Sequence, residues 1–163
     1  MAKTATKQPT YERKSERVVT SNRRAFHEFF IVETIEAGIV LTGTEIKSIR
    51  DGKITIAEAY ARIDNGELWL IGSHISPYAF GSYTNPDPDR PRKLLVHRDQ
   101  LRELRALTEQ KGMTLVPLRV RLKQGRAKIE IGVARGKKQY DKRASAAERE
   151  ASRDVERALR ERS

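Results

Sequence analysis

From residue 114 to 133 the chain alternates apolar and cationic residues about one tight turn, and few folds can accommodate such a segment. Leu118, Val120 and Leu122 fall on one side, Arg119, Arg121 and Lys123 on the other. After Lys123-Gln124-Gly125-Arg126 the alternation resumes from 127, with Lys128 on the charged side. A period of two about a Gly-containing turn specifies an antiparallel hairpin with one face in a core and one in water. A second hairpin is predicted at 59–63 and 68–71, around Asp64-Asn65-Gly66, because an Asn-Gly step suits a two-residue turn. Another strand is predicted over 29–35, with a turn or bulge at Glu36-Ala37-Gly38 and a continuation over 39–41. Asn22 to His27 lead into it.

Two helices complete the body. The first opens at Gly43-Thr44-Glu45, with Thr44 as N-cap, Ile46 and Ile49 as apolar stripe and Gly52 beyond the last turn. The second is predicted over 98–111, with Asp99 in its first turn, Leu101, Leu104 and Leu107 at helical spacing, and Gly112 closing it. Trp69, the one tryptophan, is expected in the core, with a base-stacking role as the alternative. Hairpins, one helix before the last of them and few parallel crossovers imply a mainly β fold. The expectation is a closed antiparallel barrel of the oligonucleotide-binding (OB) type with flanking short helices.

The ends differ from the body. Beyond Gly132-Val133-Ala134-Arg135-Gly136-Lys137-Lys138-Gln139-Tyr140-Asp141-Lys142-Arg143 the only large apolar residues are Val155 and Leu159. Three parts are therefore expected: a flexible basic arm (1–21), a barrel (22–134) and a basic tail (135–163). Of the net charge of +11, residues 1–24 carry +5 and 134–163 carry +4. Cationic ends around a nearly balanced body suit a polyanion that the ends reach around. On a helical wheel Arg149, Arg153, Arg157 and Arg160 oppose Ala147, Ala151, Val155 and Ala158. An isolated helix of roughly 15 residues is marginal in water, so the tail is expected to be disordered alone and helical on a partner.

Catalysis finds no support. Cysteine is absent and the three histidines are far apart in the chain, so neither a metal site nor a cofactor is expected. Phosphate-binding glycine loops and a nucleophile elbow are missing as well. Asp87 and Asp89 read as turn formers. Glu36, beside its glycine, is better suited to accepting hydrogen bonds from base or ribose donors. The longest stretch without a charged residue, 68–86, is rich in Gly, Ser and Pro and does not read as a membrane span. Residues 1–17 are polar, so no secretory signal is expected and the location is expected to be cytoplasmic.

Seven motifs occur together: Asn22-Arg23-Arg24-Ala25, Phe30-Ile31, Glu36-Ala37-Gly38-Ile39, Gly43-Thr44-Glu45-Ile46-Lys47-Ser48, His74-Ile75-Ser76-Pro77, Arg92-Lys93-Leu94-Leu95 and 136–143. In this order and spacing the chain resembles the SsrA-binding proteins (small protein B) of bacterial trans-translation. The resemblance implies an OB-type barrel that binds the tRNA-like domain of transfer-messenger RNA as one monomer per RNA. It also implies delivery to stalled ribosomes, with the tail in the empty decoding site and messenger channel. Asn22, Arg23, Arg24, Glu36, Leu95, Lys128, Gly136, Lys137 and Lys138 would bind the RNA. Tyr140, Asp141, Lys142 and Arg143 would serve the decoding site. Leu95 could instead be a core residue. Phe26 stands where the family often has a basic residue, which weighs against a phosphate contact there. The alternative reading is a general single-strand RNA binder or a ribosome-associated structural protein, distinguished by little preference among RNAs.

Overall fold

The computed structural model describes residues 16–81, 85–137 and 139–161, with side chains except at 139–142 and 145. In chain order the elements are β1 (Glu16–Ser21), α1 (Arg23–Glu28), β2 (Phe29–Ile39), α2 (Gly43–Arg50), β3 (Ile54–Thr55), β4 (Tyr60–Asp64), β5 (Glu67–Ile71), β6 (His74–Ile75), β7 (Arg92–Leu95), α3 (Arg98–Thr108), β8 (Met113–Lys123), β9 (Arg126–Gly136) and α4 (Gln139–Glu161). The fold is mainly β. One seven-stranded antiparallel sheet has the order β1-β8-β4-β5-β7-β2-β9, β8 pairs with β9 as well, and β3 pairs with β6.

Both hairpin turns match the sequence reading. Asn65-Gly66 and Gln124-Gly125 take positive φ at both positions, the backbone a tight turn needs to follow the strand twist. α3 ends at Thr108, three residues short of expectation, with Gly112 in the left-handed region beyond it.

Four expectations change. Residues 16–21, expected in a loose arm, form β1 against β8; the remainder of that arm lies outside the described residues. Asn22 to His27 do not merely approach a strand: Asn22 caps α1 by accepting from the Ala25 N–H. The N-cap of α2 is Thr42, not Thr44. Its hydroxyl accepts from the Glu45 N–H while the Glu45 carboxylate accepts from the Thr42 N–H, a capping box legible as Thr42-x-x-Glu45. Finally, β2 runs unbroken through Glu36-Ala37-Gly38, and its irregularity lies earlier, between Ile31 and Glu33.

A bulge in β8 divides the core. Pro117 pairs with Ile131 and Arg119 with Glu130, leaving Leu118 as the extra residue; proline tolerates this place because a bulge leaves one donor unneeded. Leu118 therefore does not share a core with Val120. It packs with Ala25, Val116 and Ala134 under α1, whereas Val120, Ile129, Ile131 and Val133 pack with Leu68, Leu70 and Ile49. Asn22 seals the irregularity. Its backbone N–H donates to Leu118 O at 2.7 Å, and its side-chain amide donates to Pro117 O at 3.0 Å and Ile56 O at 3.3 Å. Each leaves no buried carbonyl unpaired at a place where the ladder cannot serve it.

Gly132 lies within β9, and a Cβ there would stand 2.9 Å from Leu118 Cδ1 and 3.2 Å from Ile31 Cγ2. Gly132→Ala is expected to destabilise the protein by about 1–3 kcal/mol through overpacking, read as a lower urea midpoint with an unchanged slope.

Two corrections concern the periphery. Leu68 and Leu70 are the buried residues of β5, so Trp69 lies on the outer face, only partly buried. The tail is the helix α4, 23 residues long. Its described side chains are exposed, Val155 and Leu159 included. β9 extends to Gly136, paired with Phe29, so the body ends later than residue 134.

Candidate nucleic-acid interface

Three predicted residues from three strands meet around Gly38. In the register of β2 with its neighbours, Gly38 lies opposite Leu95 of β7 and opposite Lys128 of β9. A Cβ on Gly38 would stand 3.5 Å from Leu95 Cβ and 3.8 Å from Lys128 Nζ. Glu36 lies two residues back on the same face. Gly38 has no positive φ, so its lack of a side chain reflects neither backbone strain nor a tight core. It leaves an open floor between an apolar wall and an ammonium. Leu95 is 54% exposed, which removes the core reading of that residue. Among the described residues the Lys128 ammonium makes no hydrogen bond or ion pair, so its charge is available to a ligand.

The flanking charges are arranged in pairs. Glu36 and Glu130 are direct cross-strand partners, a like-charge placement that costs stability unless neutralised. Lys123 Nζ donates to Glu36 at 3.2 Å, while Arg121 and Arg119 approach Glu130 at 3.4 and 3.5 Å. Arg121 also reaches Glu16 of β1 at 3.6 Å. Half-exposed pairs of this kind contribute little to stability.

The remaining predicted residues separate by role. Asn22 is 3% exposed, and its side chain is engaged within the protein, capping α1 and bonding Pro117 O and Ile56 O. Arg23 is exposed and makes no ion pair among the described residues. Arg24 is held by Glu28 at 3.0 Å and Glu58 at 3.1 Å, and these contacts, the Glu28 hydrogen bond foremost, raise its guanidinium above the ordinary value. Gly136 ends β9. The Lys137 N–H donates to Glu28 O at 2.8 Å and its Nζ to Phe26 O at 3.3 Å. Lys138 lies outside the described residues, as do the side chains of Tyr140, Asp141 and Lys142; Arg143 is exposed in the first turns of α4.

The sequence reading missed an aromatic centre here. Lys137 Nζ and the Arg135 guanidinium lie 5.0 and 5.7 Å from the centroid of the Phe30 ring, and Arg119 lies 5.4 Å from that of Phe26. The Phe30–Arg135 pairing follows from register, which periodicity alone does not give. Phe26 thus holds a cation on its ring.

Other chemistries find little footing. Asp87 accepts from the Asp89 N–H at 2.9 Å, the turn role expected of it. Among the described residues no cluster of His, Asp or Glu could hold a metal ion, and no helix is long and apolar enough to cross a membrane.

The chain is similar to known proteins over most of its length. A family model described as SmpB protein matches residues 19–161. An SsrA-binding protein of Acetivibrio thermocellus is 54% identical over 149 residues, 91% of this chain and 97% of that protein. One from Roseiflexus sp. is 57% identical over 148 residues, 90% of this chain and 94% of that one. A chain in a solved structure described as "tmRNA-SmpB: a journey to the center of the bacterial ribosome" is similar at TM-score 0.63 and 48% identity, over 79% of this chain and 94% of that one.

Proposed function

Since this chain belongs to the SmpB protein family, we propose that it is a non-catalytic, RNA-binding adaptor of trans-translation. In this reading the body grips the tRNA-like domain of transfer-messenger RNA, and the protein accompanies that RNA to stalled ribosomes in the cytoplasm. The observation that carries the reading is the convergence of Glu36, Leu95 and Lys128 on the Gly38 floor. An acceptor, an apolar wall and an unpaired cation at one notch suit an unstacked nucleoside and its phosphate. Asn22 acts indirectly, by fixing α1 and with it Arg23 and Arg24. The body is proposed to be a closed OB-type barrel. Supporting this, strand pairing runs from β8 through β4, β5, β7, β2 and β9 and returns to β8. The tail, with Tyr140, Asp141, Lys142 and Arg143, serves the vacant decoding site and messenger channel.

The test is competition between the tRNA-like domain and an unrelated RNA of equal length at fixed salt. Preference for the tRNA-like domain is expected, and equal competition would favour a general RNA binder. Lys128→Ala is expected to weaken specific binding roughly 10- to 100-fold, the scale of one charge-assisted hydrogen bond. Leu95→Ala should weaken it too while leaving Tm unchanged, because much of that side chain already meets water.

A further inference from the structure

The sheet face that carries the Gly38 floor continues past it. Lys93, two residues before Leu95 on β7, lies opposite Trp69 of β5, and Trp69 lies opposite Arg62 of β4. On the other flank the Val40 N–H donates to Lys93 O at 3.0 Å, and Val40 is exposed. One row across the strands therefore reads Val40, Lys93, Trp69, Arg62, directly beside the row Lys128, Gly38, Leu95. Strand spacing and rise put Trp69 roughly 10–12 Å from Gly38, within the span of a few nucleotides.

Trp69 is chemically open. Cation–aromatic contacts among the described residues involve Tyr78, Phe26 and Phe30, so neither Arg62 nor Lys93 caps the indole. The indole N–H makes no hydrogen bond among the described residues. It is also not buried, since Arg121 Nε alone among them is buried without a partner. The two flanking cations are tethered at the surface, Lys93 to Glu67 at 3.0 Å and Arg62 to Asp64 at 3.8 Å. An aromatic ring between cations on an open sheet is the composition of a base-stacking platform.

We infer that Trp69, with Arg62 and Lys93, forms a second RNA-contact site on this face, stacking on an unpaired base of the same RNA whose neighbouring nucleoside occupies the Gly38 floor. The inference rests on the proposed function, and continuity of the two rows is what commits it to that RNA. Arg62 and Lys93 leave their carboxylates for the flanking phosphates.

Because the chain has one tryptophan, its emission reports this site alone. Full-length protein is titrated with the tRNA-like domain, following tryptophan emission and, separately, the anisotropy of labelled RNA. Emission is expected to be quenched along the same isotherm as the anisotropy change. Trp69→Ala should weaken binding roughly 5- to 150-fold, and Trp69→Phe should restore it to within about 3-fold. If the alanine variant has a lowered Tm, the wild-type emission titration still decides. Binding by anisotropy with unchanged emission overturns the inference and leaves the proposed function standing. Equal quenching by unrelated RNA, or quenching by ribosomes alone, also overturns it by assigning the ring another occupant. Absence of selective RNA binding in the anisotropy channel counts instead against the proposed function.

Discussion

Glu45→Ala is expected to lower the free energy of unfolding by about 3–5 kcal/mol, the cost of leaving one member of a buried ion pair without its counter-charge. Arg92 is fully buried and Glu45 is 3% exposed. Arg92 Nε donates to Glu45 at 2.9 Å, Nη1 to the Ser73 hydroxyl at 2.9 Å and Nη2 to Pro88 O at 2.9 Å. Arg90 bonds the same carboxylate from the rim. Removing Glu45 strands the Arg92 guanidinium and deletes half of the α2 capping box. With total stabilities of about 5–15 kcal/mol, much of the native population is at risk, and urea midpoints at neutral pH are the direct measure. Glu45→Gln retains the capping acceptor and should cost less than Glu45→Ala.

The same group makes stability depend on pH. Burial alone would push the Glu45 carboxyl up; hydrogen bonds from Arg90, the Thr42 N–H and Arg92 outweigh it and hold the carboxyl below the ordinary 4.5. A carboxyl whose folded value lies below its unfolded one stabilises fully above the unfolded value and loses that contribution as pH falls through the folded one. The stability gap between wild type and Glu45→Gln should therefore be largest near neutrality and narrow below about pH 4.5. A gap constant with pH would locate the effect in packing rather than charge. Burial draws Arg92 below its ordinary value while Glu45 draws it back, and an arginine remains protonated throughout this range.

Ending the chain after Lys137 is expected to leave affinity for the tRNA-like domain within a few-fold and to abolish tagging of stalled peptides. The cut belongs beyond β9, because Ala134, Arg135 and Gly136 pair with Ile31, Phe30 and Phe29 and the Lys137 N–H bonds to Glu28. A shorter body would lose those pairs and confuse instability with lost function. The helix removed lies mainly against α1, with Arg149 3.5 Å from His27 Nδ1, and contributes no residue to either buried core. Its loss should change stability by less than about 1 kcal/mol, as expected for exposed contacts. Anisotropy with labelled RNA and a reconstituted tagging reaction give the two readouts. Intact tagging by the truncated protein would refute the division of labour. Lost RNA affinity would mean that the tail shares in the grip.

Much of the body was legible because its signals are local. Alternation of Arg119, Val120, Arg121 and Leu122, and the turns at Asn65-Gly66 and Gln124-Gly125, need only neighbouring residues to act. Thr42-x-x-Glu45 was equally local, and reading it would have located the cap of α2. Asn22 was read from its motif as an RNA contact; its burial and its bonds to Pro117 and Ile56 were not legible, because they depend on a bulge that no periodicity announces. Trp69 was placed in the core because large aromatics usually belong there, yet a strand of five residues between two buried leucines has only the outer face left for it.

The linear chain by itself determined the strands of the two hairpins and most of β2, the hairpin turns, the concentration of charge at the two ends, and, through its ordered motifs, the family. Each follows from interactions within a few residues or from composition, and survives without knowing what packs on what. Only the tertiary structure decided that Glu36, Gly38, Leu95 and Lys128 share one notch, that Arg92 is buried on Glu45, and that Trp69 faces outward beside them. Those outcomes depend on strand register, and a shift of one residue turns every side chain of a strand to the opposite face.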